Sequence, residues 1–158
     1  MVELVSRSLP SGKPRYLMGV GSPEDLVNAV SFGVDLFDCA LPTRVARNGS
    51  LYRSDGRHDV TSSRYRSVTG PIDAECDCLT CLNFSASYLH HLFKCRELLG
   101  YRLASLHNIR FYHKLMEQIR VAILETKFDE FRERFLERFK PANEKARLKQ
   151  RKALEARR

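Results

Sequence analysis

Three cysteines fall within six residues, Cys76-Asp77-Cys78-Leu79-Thr80-Cys81, and His107 follows further along. Three thiolates and an imidazole make a complete tetrahedral ligand set for Zn²⁺, which favours such soft donors. The cysteine spacing lets one tight turn present three sulfurs to one point. The fourth ligand must then come from another element, and His107 opens a stretch of helical pattern. Four protein ligands leave no position for water, so such a zinc is structural rather than catalytic. The competing reading is a group of buried or redox-active thiols beside an unrelated histidine. In either case the reactive chemistry lies elsewhere. Asp38 is the candidate: a carboxylate between Phe37 and Cys39, partly desolvated, can serve as nucleophile or base. An aspartate there can equally cap the next turn. Arg44 and Arg47, three apart, face one way on a helical or 3₁₀ turn. Two such guanidiniums suit a phosphate or a base edge, as they also suit plain solvation.

The elements that must position these residues are legible. Val2 to Val5 reads as a short strand, followed by a loop with Pro10, Gly12 and Pro14. Arg15 to Val20 is a short apolar run, a buried strand. Ser22 is placed as a helix N-cap, with Pro23 at the first helical position and Glu24 and Asp25 in the first turn. Gly33 stops that helix, and Val34 to Cys39 is a second strand with Asp38 at its carboxyl end. Strand, helix and strand at this spacing predict a parallel βαβ unit, with Asp38 at the strand end where such folds place their chemistry. Residues 40–75 change character and read as a small antiparallel insertion. Ser85 to Leu99 reads as a helix capped by Gly100. Leu106 to Phe139 carries an apolar stripe (Ile109, Tyr112, Leu115, Met116, Ile119, Ile123, then Phe128, Phe131, Phe135 and Phe139) that predicts one long helix or two as packing surface. A lone βαβ unit leaves both sheet faces and edges open, so the chain is expected to join others or to belong to something larger.

The composition is that of a globular protein, with 43% hydrophobic and 29% charged residues. No run approaches the roughly 18 apolar residues of a membrane span, and a signal peptide's apolar core is missing. Three of five cysteines packed in one turn argue for metal binding in a reducing compartment, so a cytoplasmic protein without a membrane partner is expected. Of the formal charge of +8, residues 140–158 hold eight Lys or Arg against two Glu, which is +6. A basic, frayed tail helix is therefore expected, and any nucleic-acid site must rest on residues of the body.

Several segments together resemble one family. Arg15-Tyr16-Leu17-Met18-Gly19-Val20-Gly21, Phe37-Asp38-Cys39 running into Leu41-Pro42-Thr43-Arg44, and Ala46-Arg47-Asn48-Gly49 are similar to motifs of the tRNA-guanine transglycosylases, or queuine tRNA-ribosyltransferases. The cysteine turn, Tyr88-Leu89-His90-His91-Leu92, His107-Asn108, Phe111-Tyr112 and Leu115-Met116 extend the match over about residues 14–139. The resemblance implies an α/β fold: the last βα units of a (β/α)₈ TIM barrel, with an inserted zinc-binding subdomain and closing C-terminal helices. A whole barrel takes about 250 residues, so its N-terminal strands are expected to be absent here. The implied division is barrel strands and helix over 1–39, zinc subdomain over 40–107, closing helices over 108–139 and basic tail over 140–158.

The family's activity, as the resemblance implies it, exchanges guanine at the tRNA anticodon wobble position for a 7-deazaguanine in queuosine biosynthesis. The incoming base is 7-aminomethyl-7-deazaguanine or queuine. Asp38 matches the nucleophile. Tyr16 and Met18 match the base pocket. Gly19, Val20, Gly21, Ser22, Pro23, Glu24 and Asp25 match an RNA-binding loop, and Thr43, Arg44, Val45, Ala46 and Arg47 match the segment that reads the wobble base and its neighbours. Cys76, Cys78, Cys81 and His107 match the ligands of one structural Zn²⁺. His90, His91 and His113 match no site. Ala86 stands where the family often has arginine, read as a helix-surface position. The implied partners are tRNA with a wobble guanine, the 7-deazaguanine base and a second copy in a homodimer. The family's second catalytic aspartate and its base-recognition loop lie upstream of these residues, so the chain alone is expected to be inactive. The alternative class is a non-catalytic, zinc-stabilised module for RNA binding or subunit interaction.

Overall fold

A computed structural model describes residues 1–140, and the expected tail helix beyond them lies outside the described residues. Strands β1 (Tyr16–Met18) and β2 (Leu36–Asp38) pair in parallel, with Tyr16 opposite Leu36, Leu17 opposite Phe37 and Met18 opposite Asp38. Helix α2 (Pro23–Ser31) joins them, so the expected βαβ unit is present. The hydroxyl of Ser22 caps α2 by accepting from the amide of Asp25 at 3.3 Å, and Pro23 takes the first helical position, where no amide is needed. Gly33, at φ +83°, supplies the left-handed turn that ends the helix.

The N-terminus differs from expectation. Residues Val2–Ser8 form helix α1, not a strand. Val2 to Val5 pairs with no strand among the described residues, and an ion pair of 2.6 Å from Arg7 to Glu3, one turn apart, supports the helix.

After β2 the chain enters helix α3 (Leu41–Arg47), then the antiparallel hairpin β3 (Ser50–Arg53) and β4 (Gly56–Asp59). A 3₁₀ turn at Ser63–Tyr65 leads to helices α4 (Leu79–Asn83) and α5 (Ala86–Lys94). The region read as an antiparallel insertion therefore opens with a helix. The helix expected up to Leu99 ends at Lys94 instead, because Arg96 adopts φ +57° and the amide of Glu97 turns back to the carbonyl of Leu92 at 2.9 Å. Gly100 is not a cap. It sits in the first turn of helix α6 (Leu98–Leu124), where a Cβ would meet Leu92 Cβ at 3.0 Å. The missing side chain is what lets α6 lie close on α5. Thr126, at φ +56°, separates α6 from helix α7 (Phe128–Arg138).

Helix α6 is the spine. Its 27 residues span roughly 40 Å at 1.5 Å per residue and run unbroken across residues 107 and 108. Its first half joins Leu51, Val60, Ile72, Leu89 and Leu92 in one core around the cysteines. Its second half packs Leu115 and Ile119 against Val27 of α2 and the half-buried Phe128, Phe131 and Phe135 of α7. Between them, Val45, Tyr52 and Phe139 form a third cluster that links α3, the hairpin and the end of α7. Most of the stripe is thus packing surface, as expected, but Ile109 and Ile123 are exposed. No helix among the described residues is long and apolar enough to cross a membrane.

Candidate active site and zinc centre

Cys78 is the N-cap of α4, and its sulfur accepts the amide of Cys81 at 3.3 Å. A helix N-terminus favours thiolate, so the local fold already prepares the ligand. His107 comes from the middle of α6 and is fully buried. Its Nδ1 lies 3.6 Å from Cys78 Sγ and 3.3 Å from Cys81 Sγ, and the four ligand atoms, with Cys76, all fall within 4.8 Å of one another. The edges of a zinc tetrahedron with Zn–S near 2.3 Å and Zn–N near 2.0 Å are about 3.5–3.8 Å, so the ion fits with small adjustments. The tautomer fits as well. His107 Nε2 donates to the carbonyl of Tyr52 at 2.7 Å, which leaves the Nδ1 lone pair for a metal. Without a cation, hydrogen bonds from Cys76 and Cys81 drive the Cys78 thiol well below the usual range, and the same neighbourhood pushes Cys81 up. Burial opposes a charge on His107, yet hydrogen bonds to Cys76 and Cys78 outweigh it and lift its pKa to about 10. Only a cation at the centre lets three thiolates and a neutral imidazole coexist. Cys76, Cys78, Cys81 and His107 thus form a single structural zinc site.

The loop between the cysteines is tied to α6. The Arg110 guanidinium makes a two-pronged contact with Asp77, at 2.8 and 2.7 Å, and holds that carboxyl below its ordinary range. Lys114 Nζ donates to the carbonyl of Glu75 at 2.7 Å, and the Thr80 hydroxyl donates to the carbonyl of Leu103 at 2.8 Å.

Asp38 closes β2. Tyr16, on the neighbouring strand, donates its hydroxyl to Asp38 Oδ1 at 2.8 Å, and the amide of Gly19 reaches the same oxygen at 3.3 Å. The hydrogen bond to Asp38 raises the pKa of Tyr16 above the usual phenol value, so the hydroxyl stays a donor. Gly19 takes φ +73° to bring its amide over the strand end. A Cβ on Gly21 would overlap Cys39, and Tyr112 of α6 donates to the carbonyl of Gly21 at 2.5 Å. The loop of Gly19, Val20 and Gly21 is therefore pressed over the end of β2 from both sides. Ser22 and Asp25 are occupied in capping α2, Pro23 is buried, and Glu24 lies in its first turn.

Met18 is 71% exposed, Tyr16 53% and Leu36 53%, and with Asp38 they share one face of the two-stranded sheet. The structure thus brings Tyr16, Met18 and Gly19 together with Asp38. Thr43, Arg44, Val45, Ala46 and Arg47 lie on α3, which begins three residues after Asp38. Arg44 and Arg47 are exposed, whereas Val45 and Ala46 are buried against the body. A cleft of about 1220 Å³ separates the outer edge of β2 from Ile109, Met116, Ile119 and Ile123 of α6.

Of the other histidines, His90 is buried with Nδ1 on the carbonyl of Val60, His91 lies exposed beside Cys95, and His113 faces the cleft. Ala86 is not on the surface. It is fully buried in the core of the zinc region. The sequence singled out Asn108, Arg110 and Tyr112 for no role in the site. The signal for Asn108 was a polar residue within an apolar helical stripe.

A parallel strand–helix–strand unit ending in an exposed carboxylate, joined to a Cys₃His centre, defines a zinc-bearing α/β protein. The family model described as queuine tRNA-ribosyltransferase matches residues 1–141. A queuine tRNA-ribosyltransferase of Dehalococcoides mccartyi strain CBDB1 is 56% identical over 144 residues, covering 91% of this chain and 37% of the relative. The one from Aquifex aeolicus is 53% identical over 140 residues, covering 89% and 37%. The one from Haemophilus ducreyi is 55% identical over 131 residues, covering 83% and 34%. The chain belongs to the queuine tRNA-ribosyltransferase family, and it spans a little over one third of the length of these curated relatives.

Proposed function

We propose that this chain supplies the nucleophile and the zinc module of a tRNA-guanine transglycosylase. Residues 1–39 are the last barrel strands and helix, 40–107 the zinc subdomain, 108–139 the closing helices and 140–158 a basic tail. The cleft beside the open edge of β2 receives the rest of a (β/α)₈ barrel, since parallel strands are normally covered on both faces. The observation that carries the reading is Asp38 at the carboxyl end of a parallel strand, with Tyr16 and Gly19 both donating to Oδ1.

In this reading Asp38 attacks the ribose anomeric carbon of the wobble guanosine, the bond to guanine breaks, and an aspartyl–ribose ester forms. The departed guanine takes up a proton at N9, and the 7-deazaguanine gives up its N9 proton as it displaces Asp38 and releases the free carboxylate. Two inversions give net retention, as in retaining glycosidases. Donors on Oδ1 orient the carboxylate so that Oδ2 attacks. Tyr16 and Met18 flank the base, which must leave its stack to be reached. Gly19 to Asp25 and Thr43 to Arg47 hold the RNA, with Arg44 and Arg47 offered to phosphates and base edges. The zinc ties the subdomain to α6 and takes no part in the chemistry. The assembled enzyme works as a cytoplasmic homodimer.

A non-catalytic RNA-binding or subunit-interaction module is the second reading, favoured by the bare sheet face on which Asp38 sits. Labelled-guanine exchange into tRNA separates the two. The chain joined to the complementary upstream segment of the Dehalococcoides relative should exchange, and the chain alone should not. Exchange by the chain alone would overturn its proposed inactivity, and a silent but folded chimera would favour the second reading.

A further inference from the structure

Asn108 follows the zinc ligand His107 on α6 and, like it, is fully buried. Its side chain reaches three backbone groups of segments far away in sequence. Oδ1 accepts from the amide of Tyr52 at 3.0 Å, while Nδ2 donates to the carbonyl of Ser50 at 2.9 Å and to that of Pro42 at 3.0 Å. The partners dictate the amide's orientation, because carbonyls only accept and a backbone N–H only donates. His107 Nε2 meanwhile donates to the carbonyl of the same Tyr52. Consecutive residues of α6 thus hold Tyr52 by both its backbone groups, and one of the two residues is a zinc ligand.

The third bond matters most. Pro42 lies in the first turn of α3, the helix that carries Thr43, Arg44 and Arg47. With seven residues and no side-chain cap, α3 has little stability of its own. Its setting depends on what grips it. Val45 and Ala46 pack inward, and Asn108 clasps the first turn. A path of contacts therefore runs from the metal through His107 to Tyr52, from Tyr52 through Asn108 to Pro42, and so to the exposed arginines.

We propose that Asn108 is a positioning residue that couples the zinc centre to α3, so that metal occupancy sets how firmly Arg44 and Arg47 are presented to RNA. The RNA end of this proposal rests on reading Thr43 to Arg47 as RNA contacts; the coupling does not. Zinc fixes the His107 ring, the ring holds the Tyr52 carbonyl, and Asn108 ties the Tyr52 amide to the first turn of α3. His107, Tyr52 and Asn108 are buried and Pro42 half-buried, so a bond loosened among the first three finds no water to replace it, and its loss is passed on to the short helix α3.

Amide hydrogen exchange of the zinc-loaded chain tests the coupling without RNA. Chelating the zinc should speed exchange at 44–49 about tenfold more than in α7 and the second half of α6, which pack in a separate core. Asn108→Ala should do the same with zinc still bound at one equivalent. Equal protection at 44–49 in the loaded and chelated wild-type chain would overturn the proposal, as would uniform loss across all helices. If the variant does not fold, the wild-type comparison alone decides. Zinc-loaded Asn108→Ala should also bind an RNA hairpin with a loop guanine about tenfold more weakly than wild type. Unchanged affinity would refute the link to RNA. Failure of the wild type to bind that RNA would count against the contacts assigned to α3, while the exchange data would still decide the coupling.

Discussion

Tyr16 and Asp38 are side chains on adjacent strands, two pairs apart in the parallel register, and their 2.8 Å hydrogen bond ties the candidate nucleophile to the proposed base pocket. Tyr16 is exposed, so removing its hydroxyl leaves the fold intact while the carboxylate loses a donor. Tyr16→Phe, placed in the chimera, should therefore keep its melting temperature and lose about tenfold or more in the rate of base exchange. A rate unchanged within error would show that the hydroxyl does not orient Asp38. The same bond sets a titration. Asp38 raises the pKa of Tyr16, which keeps the neutral phenol favoured in the fold to higher pH than in the unfolded chain. Asp38→Asn should move the Tyr16 transition back toward the ordinary phenol value, as followed by NMR shift of its ring. An unmoved transition would place the cause elsewhere.

At the scale of elements, helix α6 organises what the sequence showed only in pieces. The βαβ unit, the hairpin, the capping of α2 and the three cysteine ligands were legible, because each rests on local signals: periodicity, a Ser-Pro helix start, or cysteine spacing; His107 came from the fourth place in the ligand set and from the family resemblance. Val2 to Val5 looked like a strand because β-branched residues suggest one, but a strand needs a partner and a helix does not. The break at Arg96 escaped notice because it falls on an arginine in a left-handed turn, while the nearby Gly100 looked like a cap and instead serves close packing of helices. Asn108 and Tyr112 were hidden in an apolar stripe, and their partners at Pro42, Ser50, Tyr52 and Gly21 lie far away in the chain.

Two predictions belong to this scale. Phe139, at the end of α7, is buried against Tyr52, Phe111 and Phe135, with ring centroids 6.4, 6.2 and 5.1 Å away. Phe139→Ala should cost about 3 kcal/mol or more by urea denaturation, and a loss under about 1 kcal/mol would mean that α7 is not anchored there. Arg110 clamps the cysteine loop to α6 through Asp77. Arg110→Ala should leave one bound zinc but speed its release to a coloured chelator about tenfold. The contact is partly exposed, so the effect should shrink in high salt.

For the whole molecule, the unpaired edge of β2, the bare face of Tyr16, Met18 and Leu36, and the cleft beside α6 all surround Asp38. A parallel sheet of two strands cannot bury its own surfaces, and the chain spans a little over a third of its relatives. These facts fit the proposal that the Asp38 end of the chain takes further structure around it. Mass spectrometry of the chimera, quenched in acid during turnover with tRNA, bears most directly on the nucleophile. Asp38 as nucleophile requires a ribosyl adduct on the peptide that contains residues 36–44, located to Asp38 and lost in Asp38→Asn together with exchange. An adduct on another residue, or an Asp38→Asn chimera that still exchanges base at the wild-type rate, would contradict it.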